Sequence, residues 1–447
     1  MDFMSLIPSF GNLAVTILAF VVALVMIVGV HEFGHYIVGR WSGIKADVFS
    51  IGAGPVLASR VDRHGTRWQV AALPIGGYVK FHGDSNASSS GAADEEAIAQ
   101  MSPEELRTTM HGAPLWARSA TVVAGPFINF LFSVLIFTAL AFTQGVASDP
   151  LTVAEPKPLT GVVGVLMPGD EVLAIAGMDA PDLEDFGDYA DKLPDRSPLD
   201  WTLRRDGAEI TVSTLHPYPA LVGLVVPQSA ASDAGLQPGD LIVAVNGENV
   251  GTFNQMKARI EGGEGAPVRL SVERGGAVHE VTLKPRRMDE PQPDGGYVTN
   301  WRIGVGGGLS FEPATRTPGP GQALLSGIDR VRYLISTSVS AVYHMVAGKI
   351  SSCNMRGVIT MAETSGEAAS QGFATFLSFV AVLSTAIGFL NLFPIPVLDG
   401  GHLLFHAYEA IVRRPPPDRA LNLLTLIGLV VVVSLMVFGL SNDIFCE

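Results

Sequence analysis

The chain has 447 residues, enough for two or three domains, and is 48% hydrophobic with only 16% charged residues, against about 25% in an average soluble protein. A formal net charge of −14 argues against nucleic-acid binding. Only two cysteines are present, Cys353 and Cys446, so neither a disulfide framework nor a cysteine-built metal site is expected, and each reads as an ordinary thiol.

The apolar excess concentrates in four uncharged runs, Phe3–Val30, Ser119–Ser148, Ala368–Leu398 and Ala420–Asn442. Each is long enough to cross a bilayer, which takes about 20 apolar residues as a helix. The first run lacks a basic amino end and a small-x-small cleavage site, so it is expected to be a retained membrane helix rather than a leader. It ends in Val30-His31-Glu32-Phe33-Gly34-His35, an H-E-x-x-H motif. On a helix, His31 and His35 share one face and can grip one zinc ion, while Glu32 can act as a general base on an attacking water. Ionisable groups at membrane depth are expensive and point to function. A chance match, or histidines marking the helix end at the interface, is the bland alternative in a chain with only 10 histidines.

Basic residues follow the first run (Arg40, Lys45, Arg60, Arg63, Arg67, Lys80, Arg107, Arg118) and precede the last (Arg413, Arg414, Arg419). The positive-inside rule puts both loops in the cytoplasm, both termini outside, and 149–367 outside as a translocated domain. Within the first loop, 68–81 is strand-like, with Pro74 and the bend-forming pair Gly76-Gly77 before Tyr78. Such a membrane-associated hairpin could pair with an extended substrate, or simply cap the bundle. Asp84–Thr109 is polar, with a short helix expected near Pro103-Glu104-Glu105-Leu106. In the second run Gly125 permits close helix approach, and Asn129, one turn on, shares its face; both serve packing first and support of the site second.

The external segment contains a repeat. Pro168-Gly169-Asp170-Glu171-Val172-Leu173 is echoed by Pro238-Gly239-Asp240-Leu241-Ile242-Val243; each copy continues into a helical stretch near Phe186 or Phe253 and then a basic hairpin. These units resemble PDZ domains of the bacterial protease type. The first is shortened ahead of its P-G-D. Strand addition of a peptide end and a size filter against bulky substrates are both open. Residues 288–320, rich in Pro and Gly, read as a linker. Ala323–Val346 is amphipathic and is expected on the outer membrane surface or against the bundle. A partly buried helix is expected from Gly357.

The third run ends in Asn391-Leu392-Phe393-Pro394-Ile395-Pro396-Val397-Leu398-Asp399-Gly400-Gly401-His402. Pro394 and Pro396 break the helix at membrane depth, which is tolerated where backbone is buried or lines a cavity. Asp399 is the expected third zinc ligand, leaving a fourth position open as hydrolysis requires; a helix cap is the other reading. His402 competes as a ligand but lies past the break.

H-E-F-G-H in the first run, G-P-x-x-N in the second and N-x-x-P-x-P-x-L-D-G in the third resemble the site-2 protease family of intramembrane zinc metalloproteases. The tandem PDZ-like units and the P-I-G-G-Y-V-K hairpin resemble its bacterial regulator of sigma E protease group. The resemblance implies His31, His35 and Asp399 as zinc ligands, Glu32 as base, the 68–81 edge and Asn391 as substrate contacts, and Zn2+ as cofactor. It implies cleavage of single-span membrane proteins such as a pre-cut anti-sigma factor or a signal-peptide remnant. Arg356-Gly357-Val358-Ile359 departs from the family's Gly-Pro pair before the third helix.

The expected fold is a polytopic α-helical membrane protein with four transmembrane helices, a membrane-associated β-hairpin and two extracytoplasmic PDZ-like α+β domains. The divisions are 1–40 (first helix), 41–118 (cytoplasmic loop), 119–148 (second helix), 149–220 and 221–287 (PDZ-like), 288–367 (linker and surface helices), 368–412 (third helix) and 413–447 (fourth helix). The expected site is the bacterial inner membrane. The expected partners are a transmembrane protein substrate, membrane lipid and a peptide carboxy-terminus, with no nucleic acid. A zinc carrier and a scaffold with a structural metal are the rival readings; neither gives Glu32 a role as base.

Overall fold

The computed structural model describes residues 10–84, 98–159, 165–181, 186–226, 229–291 and 296–445. The chain divides into two compact units, one built from 1–140, 320–341 and 355–446 and the other from 141–319 and 342–354.

Unit one is a helical bundle with a hairpin. Its helices are α1 (Phe10–Trp41), α2 (Leu115–Gln144), α3 (Pro320–Val346), α4 (Val358–Ser370), α5 (Phe373–Asn391), α6 (Asp399–Val412) and α7 (Asp418–Phe445). Four stretches are long and apolar enough to cross a membrane: Leu13–Trp41, Leu115–Gln144, Phe373–Asn391 and Arg419–Phe445. The apolar sequence makes them helical, because a backbone without water must satisfy its own hydrogen bonds. Ala23 and Ile27 of α1, Ile136, Phe137 and Leu140 of α2, Val331 of α3 and Val380, Ala381 and Leu383 of α5 form one buried cluster. The part of the amphipathic stretch that belongs to this unit, 323–341, therefore packs on the bundle. The expected third helix over 368–412 is two helices, α5 and α6, separated at the Pro394-Ile395-Pro396 break.

The hairpin is larger than 68–81. That stretch is only its second arm, β2 (Arg67–Phe81); the first, β1 (Ala46–Val61), carries the Gly-Ala-Gly-Pro sequence of 52–55. The hairpin folds back on itself, so Phe49 faces both Val79 and Trp68, and Ser50 faces both Tyr78 and Gln69. The glycines make the bends that let one long strand serve two ladders. Asp62 in the turn accepts hydrogen bonds from Trp68 Nε1 (3.1 Å) and the Tyr36 hydroxyl (3.3 Å), which ties the hairpin to the end of α1.

In unit two the sequence repeat is a structural repeat. Strands Met178–Asp179, Glu171–Ile175, Leu199–Arg205 and Ala208–Thr214 form one four-stranded sheet in that order; Glu248–Asn249, Leu241–Val245, Val268–Arg274 and Ala277–Leu283 form its counterpart. Each carries a helix beside it, Phe186–Ala190 or Phe253–Gly262, and the second also has the short helix Ala230–Asp233. The P-G-D aspartate has the same role twice. Asp170 accepts two hydrogen bonds from Arg205, both at 2.7 Å, and Asp240 accepts two from Arg274, at 2.6 and 2.7 Å. Burial would raise the Asp170 carboxyl, but the Arg205 fork and the Met167 N–H hold it below its ordinary value. Its stabilising contribution is therefore present above the ordinary carboxylate range and lost as pH falls through the depressed value. With Asp170 only 1% exposed, Arg205→Leu is expected to cost on the order of 3 kcal/mol by stranding a buried charge. Pulse proteolysis of the full-length chain reads this as a lower denaturant midpoint, and the gap to wild type should narrow below about pH 4, where the carboxylate protonates. An unchanged midpoint at neutral pH would mean that the pair stabilises nothing.

Two expectations are corrected here. The stretch 288–320 is not a linker. It contains a hairpin, Arg286–Pro291 with Tyr297–Arg302; then Val305–Gly307 pairs with Val222–Val225, and Phe311–Pro313 pairs with Val153–Pro156. It thus completes both repeats, whose bounds extend beyond 149–220 and 221–287, and it places Ile303 in the second core and Phe311 in the first. Its glycines serve close approach, not looseness: a Cβ on Gly223 would lie 2.7 Å from Gly307 O. Residues 160–164, where the first repeat is shortened, lie outside the described residues. The second correction concerns Cys353, which is disulfide-bonded rather than an ordinary thiol; the chain's other cysteine, Cys446, lies outside the described residues.

Candidate metal centre

The site is assembled from three helices of unit one. On α1, His31 and His35 sit one turn apart, 9% and 2% exposed, with Nε2 atoms 3.2 Å from each other. Their rings meet edge to face at 85°. Each ring is held at Nδ1 by α2. His35 Nδ1 donates to the Thr121 carbonyl at 2.8 Å, and His31 Nδ1 lies 3.3 Å from Asn129 Nδ2. Pro126, inside α2, supplies no N–H to the helix ladder, so the Val122 carbonyl, four residues earlier, loses its intrahelical donor. The Thr121 carbonyl requires the proton on His35 Nδ1 and so leaves the Nε2 lone pair outward, as metal-ligating histidines require; the Asn129 amide does the same for His31 when its Oδ1, without a partner among the described residues, faces Nδ1.

Gly125 makes this seating possible. A Cβ there would stand 2.4 Å from His35 Nε2 and 2.8 Å from His31 Cε1. The same economy of size brings α1 onto α2 at Gly34, where a Cβ would lie 2.5 Å from Ala124 O.

Asp399 arrives from the other side as the first residue of α6. Its Oδ2 lies 3.2 Å from His31 Nε2 and 3.5 Å from His35 Nε2. The helix cap reading does not hold, because Leu398 is the cap residue and no side-chain cap bond is made. Gly400 and Gly401 let the broken segment fold onto the start of α6, where a Cβ would meet Leu392 O at 2.3 Å or Ile395 O at 2.4 Å. Oδ2 is buried without a hydrogen-bond partner among the described residues. Two imidazole nitrogens and this orphaned oxygen thus form a triangle of 3.2, 3.2 and 3.5 Å sides. Bonds of about 2.0–2.1 Å to a tetrahedral zinc put neighbouring ligand atoms about 3.3–3.4 Å apart. The donor set and its spacing fit zinc, and among the described residues this is the one cluster of its kind.

Glu32 is 8% exposed and lies against the hairpin: a Cβ on Gly77 would be 3.1 Å from Glu32 Cγ and 2.9 Å from Ser50 O. Gly76 has φ of +80° with nothing within 4 Å of a built Cβ. The Tyr78 hydroxyl accepts from Gln69 Nε2 at 3.0 Å and so belongs to the hairpin's own bonding. Asn391 ends α5, and Pro394 and Pro396 lie in the break between α5 and α6. His402, one turn past Asp399, stands outside the cluster and packs on Phe405. The Thr121 carbonyl escaped sequence reasoning, since a backbone atom has no side-chain signature.

The model of peptidase family M50 matches residues 19–435. A Rhizobium meliloti protein named as a candidate zinc metalloprotease is 35% identical over 438 residues, covering 97% of each chain. An Agrobacterium fabrum protein of the same designation is 33% identical over 442 residues, again 97% of each. A regulator of sigma-E protease from Salmonella typhimurium is 32% identical over 457 residues, covering 95% of this chain and 97% of its own.

Proposed function

We propose that this chain, which belongs to peptidase family M50 and is a zinc metalloprotease of the site-2 type, cuts peptide bonds within the membrane-spanning segments of single-span proteins. The observation that carries this reading is the convergence of His31 Nε2, His35 Nε2 and Asp399 Oδ2 at the end of a helix whose apolar run holds no other ionisable group. His31, His35 and Asp399 are the residues that would hold zinc. Bound there, zinc supplies a Lewis acid for the scissile carbonyl and brings the pKa of water toward neutrality.

Glu32 takes the proton from the attacking water and returns it to the leaving amine. The Thr121 carbonyl and the Asn129 amide hold the two rings in place at Nδ1. The substrate helix hides its carbonyls in its own hydrogen bonds and must unwind before attack. The 77–81 arm of the hairpin, paired on one side with 46–51 and beside Glu32 at Gly77, suits pairing with the opened strand. Replacing Gly76 and Gly77 together by Pro is expected to lower turnover more than zinc content, because φ of +80° is closed to proline; equal loss of both would remove the strand-pairing role.

The relative named as a regulator of sigma-E protease supports a substrate of the anti-sigma factor kind, already shortened by another protease, in the inner membrane of a bacterium. The two repeats, read as PDZ-like domains outside the cytoplasm, either bind the new chain end or exclude longer substrates. The test is cleavage by the purified chain of one tagged single-span protein in full-length and externally truncated forms. Cutting confined to the truncated form, abolished by a chelator and restored by zinc, is the expected result. Chelator-insensitive cutting, or none across a panel of spans with zinc bound, would overturn the reading.

A further inference from the structure

The third ligand differs from the two histidines in how it is held. His31 and His35 are fixed by α2 directly, through Asn129 and Thr121 O. Asp399 starts a 14-residue helix, α6, whose first turn packs on the proline break. Along α6, His402, His406 and Glu409 follow Asp399 at intervals of three, four and three residues, which is one face of a helix. That polar face is turned inward, while Leu404, Tyr408 and Ile411 on the other side are 52%, 44% and 83% exposed. Its partners are on α2. Arg118 Nη2 donates to Glu409 Oε1 at 2.5 Å, and Ser119 Oγ lies 3.1 Å from His406 Nδ1. The ion pair is largely enclosed, its side chains 17% and 18% exposed. Arg118 also shares a helix face with Thr121, Gly125 and Asn129, at spacings of three, four and four.

Resting on the zinc-site reading above, we propose that the Arg118–Glu409 pair, supported by Ser119 and His406, is a positioning device that sets the axial register of α6 on α2 and thereby holds Asp399 at the metal. One stripe of α2 then indexes all three ligands. A helix advances 1.5 Å per residue, so a slide of α6 by one residue would carry Asp399 Oδ2 about 1.5 Å along the axis, against a ligand-distance tolerance of about 0.2 Å. Apolar packing alone tolerates such slides; a paired charge in a poorly hydrated place does not, because either partner left alone is costly.

The experiment measures the zinc dissociation constant of the full-length detergent-solubilised chain by chelator competition, with the melting temperature of the metal-free protein recorded alongside. Arg118→Met and Glu409→Gln are each expected to weaken zinc by about 10–100-fold, the usual cost of losing a ligand's support. The exchanged pair, Arg118→Glu with Glu409→Arg, is expected to recover most of that affinity. If the variants lower only the melting temperature and leave zinc affinity at the wild-type value, or if the exchanged pair is no better than the single variants, the proposal is overturned. Should Arg118→Met fail to fold, Arg118→Lys is measured in its place, with a smaller loss expected and wild-type affinity again contradicting the proposal. Zinc affinity is read without substrate, so a failure of the protease reading, cleavage of no span at all, remains distinguishable from a failure of this one.

Discussion

Glu32→Gln is expected to retain zinc at the wild-type level and to lower turnover by about 10²–10⁴-fold, the usual contribution of a positioned general base. The substitution keeps the shape of a side chain that is 8% exposed and packed at Gly77, so the hairpin contact and the helix survive. What it removes is the capacity to accept a proton. Glu32 is not among the atoms that converge for metal binding; those are the two Nε2 atoms and Asp399 Oδ2. Single-turnover cleavage with metal analysis on the same sample separates the two roles. Loss of zinc together with activity would make Glu32 a structural residue. A membrane zinc carrier using the same ligands would be indifferent to the change.

Gly125→Ala is expected to be nearly as damaging by a different route, because it displaces ligands while altering no ionisable group. The added methyl would stand 2.4 Å from His35 Nε2, 2.5 Å from its Cε1 and 2.8 Å from His31 Cε1. Neither ring can turn away freely, since each is held at Nδ1 by the same helix that carries the methyl. Moving α1 outward meets the close contact of Gly34 with Ala124 O. Zinc affinity should fall by at least about 10–100-fold, and cleavage with it. Gly321→Ala on α3, with nothing within 4 Å of the new Cβ, is the matched control and should bind zinc as wild type does. Full zinc content in Gly125→Ala would mean that the rings relax in a way the packing does not suggest.

The chemistry of the centre was legible in the sequence because it lies in side chains at fixed helical spacing. His31 and His35 are four apart at the end of an uncharged run, and Asp399 follows a double-proline break that only a buried or cavity-lining backbone tolerates. The P-G-D repeat was legible as a repeat, but its reason was not. The bidentate Arg205 and Arg274 lie 35 and 34 residues beyond their aspartates, and sequence marked them only as part of basic hairpins. A Gly-rich stretch misled once: in 304–308 glycine permits close backbone approach, which composition does not distinguish from a loose linker. The Arg118–Glu409 pair spans 291 residues of chain; nothing local announces it, and Arg118 reads only as one of the basic residues that set the topology.

The most direct measurement is the position of the cut. A tagged single-span protein, truncated outside the membrane, is incubated in detergent or vesicles with the purified zinc-loaded chain, and the new termini are identified by mass spectrometry. New termini within the apolar span, absent when Glu32→Gln protein is used, are the expected result. Termini confined to the soluble flanks, or identical products from the Glu32→Gln protein, would contradict intramembrane proteolysis by this centre.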